Sequence, residues 1–245
     1  MISCKMITYG RVEYLEESLY SFLNQDYDGE RELVIINDYP LQKLIFEHPL
    51  VRIINLDKTF ECLGNKENFA TEQCRGEVIV QWDDDDMALP NHLSNVHKYF
   101  VDGSDLLHWH KAILMNAPNI QGVCGVGNSG IVYSKKIWRQ IGGYPFENAG
   151  YDMTYVLNIK HNSTNIVFAD PPDNEASWIY VWGGRGYHCS GMGSDTPDRP
   201  SVIVRHSDHI ENLRQQGLIP TGDIYLNPHW KQNYSQKLID FLSVS

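Results

Sequence analysis

The sequence predicts an α/β fold built on an open, mostly parallel sheet, and three observations predict it. Residues 1–82 alternate apolar strand-like runs with stretches of helical periodicity, the pattern of strand–helix–strand units with right-handed crossovers. The run ELVIIN at residues 32–37 is apolar without alternation, as expected of a strand buried on both faces of a parallel sheet. An acidic block, QWDDDDMALP at residues 81–90, follows the strand-like Val78-Ile79-Val80 directly, at the end where open parallel sheets bind ligands.

Each element has its own signal. Residues 2–8 are largely apolar and stop at Tyr9-Gly10, which makes a first strand. Val12, Leu15, Leu19, Phe22 and Leu23 then fall at helical spacing, and Asp26-Tyr27-Asp28-Gly29 ends that helix. Residues 41–47 read as a short helix, 50–56 as a third strand, 64–75 as a helix closed by Gly76, and 77–82 as a fourth strand. The second part is less regular. Residues 106–109, 130–133, 165–169 and 178–182 read as strands, and 135–141 and 151–159 as helices, the former ended by Gly142-Gly143. Ser207 can cap a helix running to about residue 216, with Asp208 and Glu211 in its first turns. The segment from Asn227, with Trp230, Tyr234, Leu238 and Phe241, reads as a helix returning to the body. The expected organisation is one domain over residues 1–225 and a C-terminal tail over 226–245. Residues 103–130 and 170–200 carry no readable pattern.

Composition narrows the function. With 245 residues, 42% hydrophobic, the chain can bury a sizeable core, and its net charge of −11 excludes sequence-independent binding to nucleic acid or a polybasic attachment to lipid. The five cysteines are odd in number, scattered and without a C-x-x-C pair, which suits reduced thiols better than disulfides or zinc. The opening residues lack an apolar signal-peptide core, and no run approaches ~18 apolar residues, so the expectation is a cytoplasmic protein without a membrane span.

Four adjacent carboxylates repel one another, so a block inside a folded unit calls for compensation. Hard oxygen ligands with open positions suit Mg²⁺ or Mn²⁺, which bind through one or two carboxylates together with substrate phosphates. A solvated acidic turn is the competing reading. Context favours the ligand site. The first strand runs into Thr8-Tyr9-Gly10-Arg11, and the first helix ends Ser21-Phe22-Leu23-Asn24-Gln25-Asp26-Tyr27. The second strand ends Glu32-Leu33-Val34-Ile35-Ile36-Asn37-Asp38-Tyr39-Pro40. Lys66-Glu67-Asn68-Phe69-Ala70 and Cys74-Arg75-Gly76-Glu77 then lead into the strand before the aspartates. In order and spacing these five motifs resemble the GT-A fold nucleotide-sugar glycosyltransferases, in particular inverting family 2, over roughly residues 2–160.

The resemblance implies a GT-A, Rossmann-like sheet flanked by helices, with a nucleotide-sugar and metal half at 1–100 and an acceptor half at 101–225. It implies that Thr8, Tyr9 and Arg11 pack on the nucleoside and that Asp38 accepts from its base, uracil in many members. Lys66, Asn68, Asp83 and Asp84 would lie at the donor, and Asp83 and Asp85 would form the D-x-D. Asp85 or Asp86 would be nearest a metal that bridges the donor's phosphates. Two positions depart from the family: Asn37 stands for the first aspartate of D-D-G-S, and Glu67 for the arginine of K-R-N.

Inverting transfer needs a carboxylate to deprotonate the acceptor hydroxyl opposite the leaving diphosphate. In the family this is the aspartate of an E-D pair after a G-G-F/Y-x-E segment. Here Gly142-Gly143-Tyr144-Pro145-Phe146-Glu147 precedes Tyr151-Asp152, so Asp152 is the candidate base, with Tyr151 in the glutamate's place and Glu147 as the fallback. Helix capping is the plainer role for an aspartate there. Residues 182–188, WGGRGYH, suggest a loop close to a ligand. Arg185 could neutralise the leaving diphosphate or pair with a surface acid. His188 could complete a metal site and would favour Mn²⁺ over Mg²⁺, or be one of ten structural histidines. Trp109, Trp138, Trp178 and Trp182 are candidates for the acceptor site or for the core.

The expected activity is therefore inverting, Mn²⁺-dependent (Mg²⁺ possible) transfer from a nucleotide-diphosphate sugar to a hydroxyl of a glycan, lipid-linked or small acceptor. A UDP-sugar is favoured over dTDP or GDP donors. The alternatives are a non-catalytic nucleotide- or carbohydrate-binding module and a sugar nucleotidyltransferase. The latter would normally show a Gly-rich phosphate loop with a basic residue after the first strand, whereas the turn here has a single glycine.

Overall fold

In the computed structural model, residues 1–116, 118–125, 130–148, 150–182 and 208–244 are described. In chain order the strands are β1 (Ile2–Thr8), β2 (Arg31–Asn37), β3 (Gln42–Ile45), β4 (Val51–Asn55), β5 (Val78–Gln81), β6 (Met87–Ala88), β7 (Leu106–Trp109), β8 (Ala112–Asn116), β9 (Asn119–Cys124), β10 (Val132–Ser134), β11 (Ile166–Ala169), β12 (Trp178–Trp182) and β13 (Gly222–Tyr225). The helices are α1 (Val12–Leu23), α2 (Leu63–Gln73), α3 (His92–Tyr99), α4 (Lys135–Ile141), α5 (Tyr151–Asn162) and α6 (Tyr234–Val244), with residues 208–215 also helical.

The central sheet has seven strands in the order β11-β7-β10-β5-β1-β2-β4. It is mostly parallel, and β10 alone runs antiparallel, against both β5 and β7. β1 and β2 are interior strands, each paired on both sides and covered on both faces, which is why they carry near-continuous apolar runs. α1 covers one face through Leu15, Leu19 and Phe22, spaced to share one side of the helix. α2, α4 and α5 cover the other, around Val34, Ile36, Ile79, Tyr133 and Tyr155. Ser134 caps α4, its Oγ accepting from Ile137 N at 3.0 Å, and Gly142 closes the helix at φ 80°.

Residues 41–47 are not a helix: they contain β3, which pairs in parallel with β13 from the far end of the chain. Asn37 and Asn55 hold it in place. Asn37 Nδ2 donates to Gln42 O and to Asn55 Oδ1, both at 2.9 Å, and Asn55 exchanges two hydrogen bonds with the Leu44 backbone. Asn37 thus departs from the family's aspartate at a place where an amide donor is required. The second part contains elements with no sequence signal: α3, and the β8–β9 hairpin, which joins β6 and β12 in a four-stranded sheet. The tail has no regular structure from Leu226 to Asn233, before α6 begins. It returns to α1, where Trp230 Nε1 donates to Ser21 Oγ at 2.9 Å and the Tyr234 hydroxyl donates to the buried Glu17. Among the described residues no helix is long and apolar enough to cross a membrane.

Candidate active site

The carboxyl ends of β1, β2 and β5 meet the start of α2, and four of the expected residues converge there. Lys66, buried on the first turns of α2, donates from Nζ to Asp38 Oδ1 at 2.5 Å and to Thr8 O at 2.8 Å. The second Asp38 oxygen accepts from Phe60 N at 2.9 Å. Burial lowers the Lys66 pKa, and Asp38 opposes that shift. Tyr9 packs edge-on against Tyr39, ring centroids 4.9 Å apart, beneath Ile210 and Ile219. Gly10 permits this turn: its φ is +74°, and a Cβ would come within 3.1 Å of Ile210.

Arg11 turns away from this pair toward the acidic block. Its guanidinium meets Asp84 through Nη2 at 2.5 Å and Nε at 3.2 Å, and Asp85 through Nη1 at 2.6 Å. Part of the repulsion within the block is therefore relieved by a cation from the chain itself, through a bidentate contact. Asp84 is buried beneath it. Asp86 sits in a different environment: its oxygens accept from Val181 N at 2.9 Å and Trp178 Nε1 at 3.2 Å, bracing β12, with 2% exposure. That geometry turns Asp86 into the core. Asp83 and Asp85 are the half-buried members.

Asp83 lines a cavity of about 80 Å³ with Glu67, Gln81, Tyr144, Tyr151 and Asp152. Gln81 Nε2 donates to Asp83 Oδ1 at 2.7 Å. Burial, then the neighbouring Asp85, push the Asp83 pKa up to about 7, against the pull of Gln81. Asp152 stands in the first turn of α5, behind Gly150 at φ 70°, and burial raises its pKa too. The candidate base and the first aspartate of the D-x-D thus share one cavity, although 69 positions separate them in sequence.

A further contact fixes that arrangement. Asn68 is taken up by the segment before Asp152: its Oδ1 accepts from Tyr144 N at 2.7 Å and Trp138 Nε1 at 2.9 Å, and its Nδ2 donates to Tyr144 O at 2.9 Å. Leu63 N donates to Asn148 Oδ1 at 2.8 Å and Gly64 N to Glu147 O at 3.2 Å. The Gly-Gly-Tyr segment before Asp152 is therefore clamped to α2. Trp109 and Trp178 are core residues around His92, and Trp138 serves the clamp. Arg185 and His188 lie outside the described residues.

Residues 3–119 match the sequence model of Glycosyl transferase family 2. Over that stretch the chain is similar to glycosyltransferase family 2. The chain is 30% identical over 112 residues to a Bacillus subtilis (strain 168) protein named "Uncharacterized glycosyltransferase YwdF", a match spanning 44% of the chain and 40% of that relative. Its fold is that of S. aureus TarS 1-349 in complex with UDP-GlcNAc (TM-score 0.63, 18% identity, 86% of this chain and 66% of that one). It is also that of the mannosyltransferase PcManGT from Pyrobaculum calidifontis in complex with GDP-Man and Mn²⁺ (TM-score 0.54, 15% identity, 97% and 68%).

Among the described residues no three His, Cys, Asp or Glu side chains come together as a metal cage. The donor set nonetheless fits a divalent ion. Asp83 and Asp85 offer hard oxygens and repel each other, the state that a cation relieves, and Mg²⁺ or Mn²⁺ completes its shell from phosphates and water. Sequence reasoning missed Lys5, Gln81 and Tyr144. Lys5 left a signal: a lysine in the middle of an apolar central strand must have a buried partner.

Proposed function

We propose that the protein transfers a sugar from a nucleotide-diphosphate donor to an acceptor hydroxyl with inversion at the anomeric carbon. The observation that carries this reading is the cavity shared by Asp152 and Asp83 at the carboxyl end of the sheet. Asp152 takes the proton from the acceptor hydroxyl as its oxygen bonds to the anomeric carbon and the bond to the diphosphate breaks. A raised pKa makes its carboxylate a better base, and its place in the first turn of α5 keeps it oriented. Asp85, with Asp83, would hold a divalent ion, which supplies positive charge to the diphosphate. Arg11 and Lys66 bring further positive charge to the carboxyl ends of β1 and β2.

Asp38 keeps lone-pair capacity on its carboxylate and supports a donor whose base presents an N–H, as uracil does. The names of the structural neighbours, which include UDP-GlcNAc and GDP-Man complexes, support a nucleotide sugar without choosing between them. Mn²⁺ is the favoured ion, with Mg²⁺ second.

The test is nucleotide release from a panel of UDP-, dTDP- and GDP-sugars with Mn²⁺, with Mg²⁺ and with EDTA. Asp152→Asn should bind the nucleotide as wild type does in calorimetry, yet lose at least about a hundredfold in turnover, the scale of general-base catalysis. Unchanged turnover in Asp152→Asn refutes the base. Nucleotide binding without turnover of any donor would mark a binding module instead.

A further inference from the structure

Glu67 and Tyr151, two of the three departures from the motifs named above, meet in the wall of the cavity. Glu67 Oε1 accepts from the Tyr151 hydroxyl at 3.3 Å and from Gln81 Nε2 at 3.3 Å, while Oε2 pairs with Lys5. The same Gln81 nitrogen donates its other hydrogen to Asp83 at 2.7 Å. Glu67 is thus the junction between two chains of contacts. One runs through Tyr151 to the residue next to it, Asp152; the other runs through Gln81 to Asp83.

A buried Lys–Glu pair is a poor way to stabilise a core, because desolvating both charges offsets much of their attraction. Lys5 is fully buried and Glu67 is 1% exposed, with the Lys5 ammonium also 4.6 Å from the Tyr144 ring centroid. An apolar pair would fill the same volume at lower cost. Polar arrangements that break such rules are expected where function uses them. Both carboxylate partners demand donors, which fixes the Gln81 amide with its nitrogen toward them. Its oxygen is left buried, without a partner, in the cavity wall.

We propose that Glu67 is a positioning residue: with Lys5 as counter-ion it holds Tyr151 and Gln81 together and so sets the spacing of Asp152 from Asp83. The proposal rests on the function proposed above. On that reading the acceptor hydroxyl and the donor's reacting carbon meet between these two carboxylates. Small errors in such spacing cost rate more than binding.

The experiment uses the full chain and a donor that wild type turns over. Tyr151→Phe removes one hydroxyl and leaves the Lys5–Glu67 pair intact. Glu67→Gln combined with Lys5→Met removes both charges and leaves no buried ion unpaired. Each variant should fold, seen by thermal unfolding, and keep the donor KM within about twofold while kcat falls roughly ten- to a hundredfold. Combining all three changes should cost no more than the worse of the two, since both act through one junction. Wild-type kcat in folded Tyr151→Phe, equal losses in KM and kcat/KM at constant kcat, or additive losses in the combination would each overturn the proposal. These results are distinct from failure of the functional reading, in which wild type itself turns over no donor and the proposal falls with it.

Discussion

The clamp between α2 and the segment before Asp152 is tested most sharply at Gly64. A Cβ built there would lie 1.9 Å from Pro145 O and 3.0 Å from Pro145 C, both backbone atoms. Ordinary contact begins near ~3.4 Å, so helix and segment must separate by roughly 1.5 Å. That movement strains Gly64 N–Glu147 O at 3.2 Å, Leu63 N–Asn148 Oδ1 at 2.8 Å and the paired Asn68–Tyr144 bonds. Overpacking costs about 1–3 kcal/mol and each hydrogen bond lost about 1 kcal/mol, while alanine returns up to about 1 kcal/mol of helix propensity. The net expectation for Gly64→Ala is a loss of about 2–3 kcal/mol, which at this chain length lowers Tm by roughly 5–10 °C.

Gly122→Ala is the control, since its Cβ would meet nothing within 4 Å and its φ is not in the left-handed range. It should stay within about 0.5 kcal/mol of wild type in denaturant unfolding. Gly64→Ala should also lose donor turnover well below its melting temperature, because the segment it displaces leads into Asp152. Equal stability of the two variants would show that α2 and residues 144–147 do not touch, and the account of how Asp152 is aimed would fail with it.

Two further predictions concern stability away from the cavity. His92 is buried among Trp82, Trp109 and Trp178, which lowers its pKa to about 3, so below pH 6.5 the unfolded chain binds a proton that the folded chain refuses. Its contribution is whole above about pH 6.5 and is lost as pH falls toward 3, at up to about 1.4 kcal/mol per unit; His92→Gln should flatten that limb of a stability–pH curve, and an unchanged slope would refute it. Glu17, buried on α1, accepts from the Tyr234 hydroxyl and from Lys231 N at 3.2 Å. Glu17→Ala should cost roughly 2–4 kcal/mol and expose the tail to proteolysis first, and protection equal to wild type would mean that the tail is held by its apolar contacts alone.

What the sequence determined by itself was local and periodic. The central strands were legible because β1 and β2 are buried on both faces, and α1 because Leu15, Leu19 and Phe22 fall on one side of a helix. The acidic block, Asp38 and the Gly-Gly-Tyr segment were legible because turn and ligand residues cluster at strand ends. The tertiary structure alone decided which of these meet. β3 looked helical because its partner, β13, lies some 180 residues away, and no local preference reports that pairing. The four aspartates are alike in sequence, yet Arg11 takes Asp84 and Asp85, Trp178 and Val181 take Asp86, and Asp83 is left to the cavity. Glu67 and Tyr151 looked like two unrelated departures until the fold set one hydroxyl against one carboxylate. Spacing along a chain fixes which side of an element a residue occupies, whereas hydrogen bonding and charge compensation depend on what the fold brings opposite it.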